Sequence, residues 1–297
     1  MSIAMTRLRR SRRSWAGWWF VGPFMLVFAL VLIAPLLYAI YLSLFRDSLI
    51  GGTRFVGLEN YATALVDPKF WDATGRVVLF LCVQVPIMLA LALVAALALD
   101  SARLRFVPLY RLSIFLPYAV PGVVAVMIWG YMYGDQFGLV ADLNRWLGDI
   151  VPSPLSESFI LPAIGNIVTW EFMGYNMLIF FSALQAVPQE QYEAAEIDGA
   201  GALRTVFSIK LPAIRGAIVV ATIFSIIGSF QLFNEPAVLQ KIAPNAISSY
   251  FTPNMYAFNL SFAGSQFNYA AAIAIISGVI TMIIAFFAQS MGSKEQK

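Results

Sequence analysis

Long runs of apolar residues, separated by short polar segments, extend along almost the whole chain. A hydrocarbon layer about 30 Å thick needs roughly 20 consecutive apolar residues in a helix. Six stretches meet this requirement, and their approximate bounds are 18–45, 77–99, 108–133, 159–187, 212–233 and 269–289. Membrane-spanning strands would instead alternate apolar and polar residues over segments of about ten residues. The pattern therefore predicts an all-α, polytopic membrane protein with six transmembrane helices.

Composition narrows the classes of protein that fit this pattern. Of the 297 residues, 60% are hydrophobic and 12% are charged, against about a quarter charged in ordinary soluble proteins. The chain has no histidine and a single cysteine, Cys82, which excludes histidine-based catalysis, an intrachain disulfide and a thiolate metal cluster. None of its lysines stands in the G-x-x-x-x-G-K-[ST] phosphate-binding context. We therefore expect no catalytic residue, metal or cofactor, and any ATP that drives this protein is hydrolysed by another chain.

Basic residues are concentrated before the first span, where the sequence carries Arg7, Arg9, Arg10, Arg12 and Arg13. By the positive-inside rule this segment is cytoplasmic, and six spans return the C-terminus to the same side. These arginines are interpreted as topology signals that contact membrane lipid, not as a nucleic-acid site. Cleavage as a signal peptide is not expected, because the apolar run is too long and no A-x-A site follows it. The predicted organisation is a basic tail (1–17), a six-span domain (18–290) and a cytoplasmic tail (291–297).

Polar side chains lie inside the fourth and fifth predicted spans. By the boundaries above, Glu171 is the only ionisable residue deep in any span. A carboxylate at that depth costs several kcal/mol unless it faces protein or water. Gln231 and Asn234 are three residues apart and would share one face of a helix.

These polar residues are interleaved with aromatic ones, a mixture that suits hydroxyl-rich ligands such as sugars. Sugar C–H faces stack on rings, while amides and carboxylates bind hydroxyl groups. The alternative is that the same residues hold helices together or lie at the membrane interface. The candidate substrate-binding residues are Trp170, Glu171, Tyr175, Asn176, Gln231 and Asn234.

The segment 188–212, between the fourth and fifth spans, is predicted to form two short helices. Residues 190–198 are mostly good helix formers, and Gly199 is placed to cap the first helix at its C-terminus. Residues 202–210 form the second, with Leu203, Val206 and Phe207 on one face. A short acidic helix followed by an apolar one is suited to docking into a groove of a partner protein. The alternative is a loop that only connects two spans.

The same segment contains the string E-A-A-x-x-x-G-x(9)-I-x-L-P, met by Glu193, Ala194, Ala195, Gly199, Ile209, Leu211 and Pro212. It resembles the signature of inner-membrane permease subunits of binding-protein-dependent ABC importers. Similarity extends over nearly the whole chain and is greatest to the carbohydrate branch, the maltose and sn-glycerol-phosphate permease type. Supporting strings are Gly57-Leu58-Glu59-Asn60-Tyr61, Phe115-Leu116-Pro117, Trp170 with Gly174-Tyr175-Asn176-Met177, and Ala183-Leu184-Gln185-Ala186-Val187-Pro188.

The resemblance implies the type I ABC importer permease fold and a location in the bacterial cytoplasmic (inner) membrane. It implies three kinds of partner: a dimer of ATPase subunits, a second homologous permease subunit and an extracytoplasmic sugar-binding protein. Residues 193–199, including Asp198, would form the coupling helix that contacts the ATPase, with Ile209, Leu211 and Pro212 completing the signature. The family also places its sugar site in the fourth and fifth spans, where the candidate residues lie.

The resemblance therefore predicts a permease subunit of an ATP-driven importer of a sugar. Many relatives have a Gly-Gly-Pro stretch after the fifth span, where this chain has residues 234–240, Asn-Glu-Pro-Ala-Val-Leu-Gln. The following residues 250–256 resemble those of a subset that imports di- and oligosaccharides.

Two other functions fit a polytopic membrane protein. A self-sufficient secondary transporter or channel would use Glu171 as a proton relay, but carriers of this kind often contain paired repeats, and none is evident here. A membrane enzyme would need an acid–base or metal site. The absence of histidine and of clustered carboxylates at membrane depth argues against one. Both alternatives leave the signature segment unexplained.

Overall fold

The computed structural model describes residues 16–48, 51–101 and 104–294, most of them helical. The N-terminal arginines, Arg103 and the final residues 295–297 lie outside the described residues, so the predicted tails are largely untested. The elements of the first half are α1 (Ala16–Phe28), a π-helical turn (Ala29–Ile33), α2 (Ala34–Ser43), β1 (Phe45–Ser48), β2 (Gly52–Phe55), α3 (Glu59–Leu65), α4 (Pro68–Leu99), α5 (Val107–Phe115), a 3₁₀ turn (Leu116–Ala119), α6 (Gly122–Met132) and α7 (Leu139–Leu147). Strands β1 and β2 form an antiparallel hairpin.

The second half begins with the helix that carries most of the candidate binding residues. Its elements are α8 (Ile160–Leu184), α9 (Gln189–Ile197), α10 (Ala202–Thr205), a π-helical turn (Val206–Lys210), α11 (Leu211–Ala213), α12 (Arg215–Phe230), α13 (Asn234–Leu239), α14 (Pro253–Phe262) and α15 (Phe267–Lys294). The end of the bundle that carries the β-hairpin and the loops 133–159 and 240–266 is called the hairpin end. The opposite end, which carries the turn after α4 and the segment 185–214, is called the signature end.

The prediction of six spans is confirmed in the part of the chain that the structure describes. Five helical stretches are long and apolar enough to cross a membrane: Gly17–Ser43, Pro68–Leu99, Ile160–Leu184, Arg215–Leu239 and Phe267–Gly292. The sixth is the pair α5–α6, which meets the same criteria when it is counted as one broken span.

The third span, predicted over 108–133 with Pro117 and Pro121 inside it, is sharply bent. Its two halves meet at an angle of 95°. Pro117 and Pro121 lack the N–H groups that would continue the helix, and the residue before a proline is driven to an extended conformation. Val120, which precedes Pro121, is extended, with φ −78° and ψ 130°. The two prolines therefore end α5 and start α6 within the membrane.

The fifth span is also broken, which corrects two predictions. Helix α12 ends at Phe230, so Gln231 and Asn234 do not share a helical face. The cause is Pro236, which has no N–H to bond the carbonyl of Leu232. The apolar stretch continues to Leu239, which brings Glu235 into the span. The end of the fifth span predicted at residue 233 is therefore corrected to Leu239, and Glu235 joins Glu171 as an acidic residue within a span.

Side chains from the hairpin end satisfy the carbonyl groups that this break leaves free. Thr252 Oγ1 donates a hydrogen bond to the carbonyl of Leu232 at 2.9 Å, and Asn254 Nδ2 donates to the carbonyl of Phe230 at 3.1 Å. Backbone groups at membrane depth must be satisfied within the protein because no water is there to bond them. The segment 250–256 thus has a structural role that its sequence did not reveal.

Helices α4 and α8 form the most extensive helix pair, at the centre of the bundle. In the membrane they are joined by Gln84, whose Nε2 donates to Thr169 Oγ1 at 3.2 Å. Helix α8 also lies directly against α5 at Gly174, where an added Cβ would be 2.1 Å from the carbonyl oxygen of Ile114. Small residues at such contacts let two backbones approach closely.

The string Gly57–Tyr61 fixes the hairpin end of the first span. Asn60 is buried, and its Nδ2 donates to the carbonyls of Ser43 and Phe45 at 2.8 and 2.7 Å. Asp67, which caps α4, accepts hydrogen bonds from the hydroxyls of Tyr256 and Tyr269 at 2.6 and 2.7 Å. Burial acts to raise the pKa of Asp67, but these and two backbone hydrogen bonds outweigh it and hold the pKa below its ordinary value.

Candidate functional site

Three aromatic side chains form a ledge at the bend of the third span. Tyr118, in the 3₁₀ turn, stacks on Tyr175 with ring centroids 4.9 Å apart and packs edge-on against Phe172 at 5.8 Å. Tyr118 is 41% exposed and Phe172 is 38% exposed, although both lie at membrane depth. We call Tyr118, Phe172 and Tyr175 the aromatic ledge. The bend places Tyr118 beside α8, so the ledge depends on Pro117 and Pro121.

Glu171 lies next to the ledge, at the N-terminus of α6. Its side chain is buried, and a Cβ added to Gly122 would be 3.4 Å from Oε1. The N-terminus of a helix carries a partial positive charge, which favours a carboxylate at this position. Oε2 is buried and has no hydrogen-bond partner. The broken helix therefore gives a physical reason why a carboxylate is tolerated at this depth, and it leaves one oxygen available.

A second carboxylate, which the sequence analysis missed, lies near the first. Glu235, in α13, is partly buried and is close enough to Glu171 for the two side chains to interact electrostatically. No salt bridge to either carboxylate exists among the described residues. The signal in the sequence was Pro236, which breaks the fifth span and extends it beyond Phe233. The site thus holds two carboxylates without a cationic partner.

The structure does not bring all of the other candidate substrate-binding residues to the aromatic ledge. Trp170 packs edge-on against Trp129 of α6, with centroids 6.0 Å apart. Asn176 is buried; its Nδ2 donates to the carbonyl of Phe172, in its own helix, at 3.0 Å and lies 3.8 Å from Sδ of Met88 in α4. Gln231 and Asn234 are exposed at the break in the fifth span. The structure therefore groups Glu171 and Tyr175, and it directs Asn176 into a contact between helices.

Two grooves lie elsewhere on the bundle. One, of about 580 Å³ between α12 and α15, includes Gln231 together with Asn254 and Thr281 in its lining. The other, of about 870 Å³ between α4 and α8, is lined by mostly apolar residues and includes none of the six candidates. The candidate site is therefore the exposed ledge with its two carboxylates, which is open on one side in the single chain.

The signature segment forms the two predicted short helices, α9 and then α10 with its π-helical turn. Gly199 has φ +70° and ends α9. Its N–H bonds the carbonyl of Glu196 at 3.0 Å, and the N–H of Ala200 bonds the carbonyl of Ala195 at 2.9 Å. This pair of bonds is the Schellman motif, which requires a left-handed residue and so favours glycine. The prediction of Gly199 as the C-terminal cap is confirmed.

Most of the signature side chains face outward. Ala195 is buried and Ile209 and Leu211 are half-buried, while the others are exposed: Glu193, Ala194, Asp198, Gly199 and Pro212. Three large apolar side chains next to them are also exposed: Ile197 at 86%, Leu203 at 75% and Phe207 at 67%. We call these three residues the coupling patch. Leu203 and Phe207 were predicted to share a face, whereas Ile197 was not singled out.

The fold is that of a multi-pass membrane protein with an exposed segment, α9 and α10, at its signature end. Over residues 2–294 the chain matches the family described as the binding-protein-dependent transport system inner membrane component. The chain belongs to this family, so it is a multi-pass membrane permease component and not an enzyme.

Curated relatives are similar over most of their length. The chain is 32% identical over 290 residues to the lactose transport system permease protein LacF of Rhizobium radiobacter, covering 95% of each. It is 30% identical over 292 residues to the trehalose/maltose transport system permease protein MalF of Thermococcus litoralis, again covering 95% of each.

The fold also matches a solved structure, that of a bacterial ABC transporter involved in the import of the acidic polysaccharide alginate. The TM-score is 0.84 at 19% identity, with 96% of this chain and 97% of that chain covered. The six-span fold of this chain is therefore that of an ABC importer permease.

Proposed function

We propose that this chain is one of two permease subunits of an ATP-driven importer of a di- or oligosaccharide. The observation that carries this proposal is the aromatic ledge beside two carboxylates at membrane depth. The relatives support it, because they are named for lactose and for trehalose and maltose transport. Diacetylchitobiose, the sugar of a third relative from Streptomyces coelicolor that is 32% identical and covered over 69% of its length, is also a disaccharide.

The ledge and the carboxylates have complementary roles in binding a sugar. Tyr118, Tyr175 and Phe172 offer ring faces and edges to the apolar C–H surface of a pyranose. Glu171 Oε2, which has no partner, accepts a hydrogen bond from a sugar hydroxyl, and Glu235 provides a second acceptor. Trp170 and the exposed amides of Gln231 and Asn234 remain candidates for further contacts. Asn176 contributes by holding α8 against α4.

One chain provides only part of an enclosed pathway. The ledge is exposed, whereas small-molecule sites usually bury most of their ligand. A second permease subunit that faces the ledge would complete the enclosure. Alternating access then follows if the pair opens first to one side and then to the other, with the sugar bound less tightly in the inward-facing state.

The signature end is proposed to face the cytoplasm and to contact the ATPase dimer. Of the 19 basic residues in the sequence, 13 belong to this side of the predicted topology and 6 to the other, as the positive-inside rule requires. The coupling patch is an apolar surface of the kind that docks into a groove of a partner. The acidic residues Glu190, Glu193 and Glu196 lie on α9, the helix that ends at Ile197. The hairpin end then faces outward, toward the sugar-binding protein.

Purification tests this assignment. The tagged chain, extracted from its own membranes in mild detergent, is expected to bring down an ATPase subunit and a second six-span permease. Proteoliposomes of that complex, with the binding protein, are expected to take up a disaccharide only when ATP is present. A chain that purifies alone and moves lactose or trehalose without ATP would show that the protein is a secondary transporter.

Replacing Tyr175 with alanine is expected to raise the KM for uptake about tenfold, because a stacked aromatic contact contributes about 0.5–1.5 kcal/mol and 1.4 kcal/mol corresponds to a factor of ten. The KM is measured from the uptake of radiolabelled lactose and trehalose by the reconstituted complex. The control is Tyr110→Ala, which removes a half-exposed tyrosine of α5 away from the ledge. Equal KM values in the two variants would show that the aromatic ledge is not part of the sugar-binding site.

A further inference from the structure

Four side chains from separate parts of the chain meet at the signature end. Asp100, the residue after α4, accepts a hydrogen bond at Oδ1 from Gln185, the residue after α8, at 2.8 Å. Its other oxygen, Oδ2, is 2.5 Å from Nζ of Lys210. The ammonium of Lys210 lies 5.3 Å from the ring centroid of Tyr192 in α9. We call Asp100, Gln185, Lys210 and Tyr192 the Asp100 joint.

The position of Asp100 is unfavourable by the rules that govern an isolated helix. A carboxylate at a helix C-terminus faces the negative end of the helix dipole, and the last turn of α4 contains no basic residue. Lys210, which is 110 residues away in sequence, supplies the compensating charge. The charge of Asp100 is therefore unfavourable within its own helix and is compensated by a contact with a distant part of the chain.

The ion pair of Asp100 and Lys210 differs from the other pairs in its burial. Its side chains are only 8% and 14% exposed, whereas those of Arg145 and Asp142 are 71% and 66% exposed. Buried ion pairs contribute little net stability, since desolvation offsets their attraction, but they fix the geometry of the groups that they join. Removing one partner leaves a buried charge alone and is costly.

Helix α9 has little other attachment to the bundle. Ala195 is its only buried residue. The hydroxyl of Tyr192 is buried without a hydrogen-bond partner, so the ring is held by packing and by the ammonium of Lys210. Burial raises the pKa of Tyr192, and the negative charge of Asp100 raises it further, which keeps the phenol neutral. The route from α9 to the core helices therefore passes through Tyr192 and Lys210 to Asp100.

We propose that the Asp100 joint couples α9 to α4 and α8, so that a displacement of α9 by the ATPase moves both core helices together. This inference rests on the proposed function, in which α9 contacts the ATPase. The two carboxylate oxygens of Asp100 serve different connections: Oδ1 holds the end of α8, and Oδ2 holds Lys210 and, through it, Tyr192. Asp100, Gln185, Lys210 and Tyr192 are positioning residues, remote from the sugar site.

The test measures whether α9 and α4 move as one body. Spin labels are placed at the exposed positions Ala98 and Glu196 after Cys82→Ser, in the complete complex with its ATPase and partner permease. Pulsed electron spin resonance then compares the nucleotide-free complex with the complex trapped by ATP and vanadate. In the native chain the distance between the labels is expected to be the same in both states. In Lys210→Met it is expected to shift and broaden on trapping.

Transport provides a second measurement. Loss of the joint is expected to reduce the number of lactose or trehalose molecules imported per ATP hydrolysed about tenfold, within the range of about 5- to 150-fold typical of allosteric coupling. The exchange Asp100→Lys with Lys210→Asp is expected to restore part of this loss. The control is Asp142→Asn, which breaks an exposed ion pair at the hairpin end and should change neither readout.

The outcomes separate the joint from the function on which it depends. If Lys210→Met assembles with the ATPase and keeps both the native distance and the native import per ATP, the joint does not couple the helices. If Lys210→Met does not assemble with the ATPase, Gln185→Leu replaces it in the test, because this variant keeps the ion pair of Asp100 and Lys210. An unchanged distance between labels on α8 and α9 in Gln185→Leu then overturns the proposal. If the native chain never binds an ATPase, the proposed function itself is wrong.

Discussion

Replacing Gly199 with valine is expected to reduce ATP-driven sugar uptake at least tenfold while the permease remains in the membrane. The reason is backbone conformation, because Gly199 has φ +70° and an added Cβ would meet no atom within 4 Å. A left-handed conformation costs an ordinary residue roughly 1–2 kcal/mol, and more when the side chain is β-branched. The Schellman motif would open, and α9 would no longer present Ile197 to the ATPase. Uptake of labelled sugar, normalised to the permease in the membrane, measures the effect.

Gly201 provides the matched control for this experiment. It lies two residues away, also has no atom within 4 Å of an added Cβ, and has φ −70°, which valine adopts readily. Gly201→Val is therefore expected to retain most of the uptake. Gly199→Asn should be intermediate, because asparagine tolerates the left-handed region. Equal uptake by the two valine variants would show that the conformation of Gly199 is not required for coupling.

Replacing Gly174 with alanine is expected to destabilise the whole bundle. The added Cβ would lie 2.1 Å from the carbonyl oxygen of Ile114 and 2.8 Å from the Cα of Phe115. Both neighbours are backbone atoms, so no side-chain rotation relieves the contact and α5 must move away from α8. Overpacking of this kind costs about 1–3 kcal/mol, and more where the backbone is rigid. Thermal unfolding in detergent is expected to show a clear fall in Tm.

Gly228→Ala is the control, since Gly228 lies within α12 and an added Cβ would meet nothing within 4 Å. Alanine has the higher helix propensity, so this variant should be neutral or slightly more stable. A Gly174→Ala protein with the native Tm would mean that α5 and α8 are not in the close contact described.

The six spans were predictable because lipid imposes a length and an apolar composition on each helix. The signature segment was predictable for a local reason, since Gly199 caps α9 through its own backbone conformation. The bend of the third span was only half predictable. Pro117 and Pro121 showed that the helix is interrupted, but the 95° angle depends on packing against α8 that no local pattern specifies.

The binding site was predicted less well, because the fifth span was assumed to be a continuous helix through Gln231 and Asn234. Gln231 and Asn234 were paired by a spacing of three, whereas Pro236 ends that helix at Phe230. The same proline places Glu235 in the span beside Glu171. Asn176 has the composition of a binding residue, but its orientation toward Met88 follows from how α8 packs on α4. Contacts such as Asp100 with Lys210 join distant segments and leave no periodic signal.

The hydrogen bonds from the hairpin end to the broken fifth span restrict how this protein can vary. Surface loops usually accept substitution freely because water can satisfy whatever they expose. Thr252 is different, since its hydroxyl donates to a carbonyl within the membrane and accepts from the N–H of Met255. Serine keeps the hydroxyl that serves both functions, whereas an apolar residue offers neither, and Asn254 likewise requires a donor. Mutational drift in this loop is therefore limited by the lipid bilayer, not by the solvent that surrounds the loop.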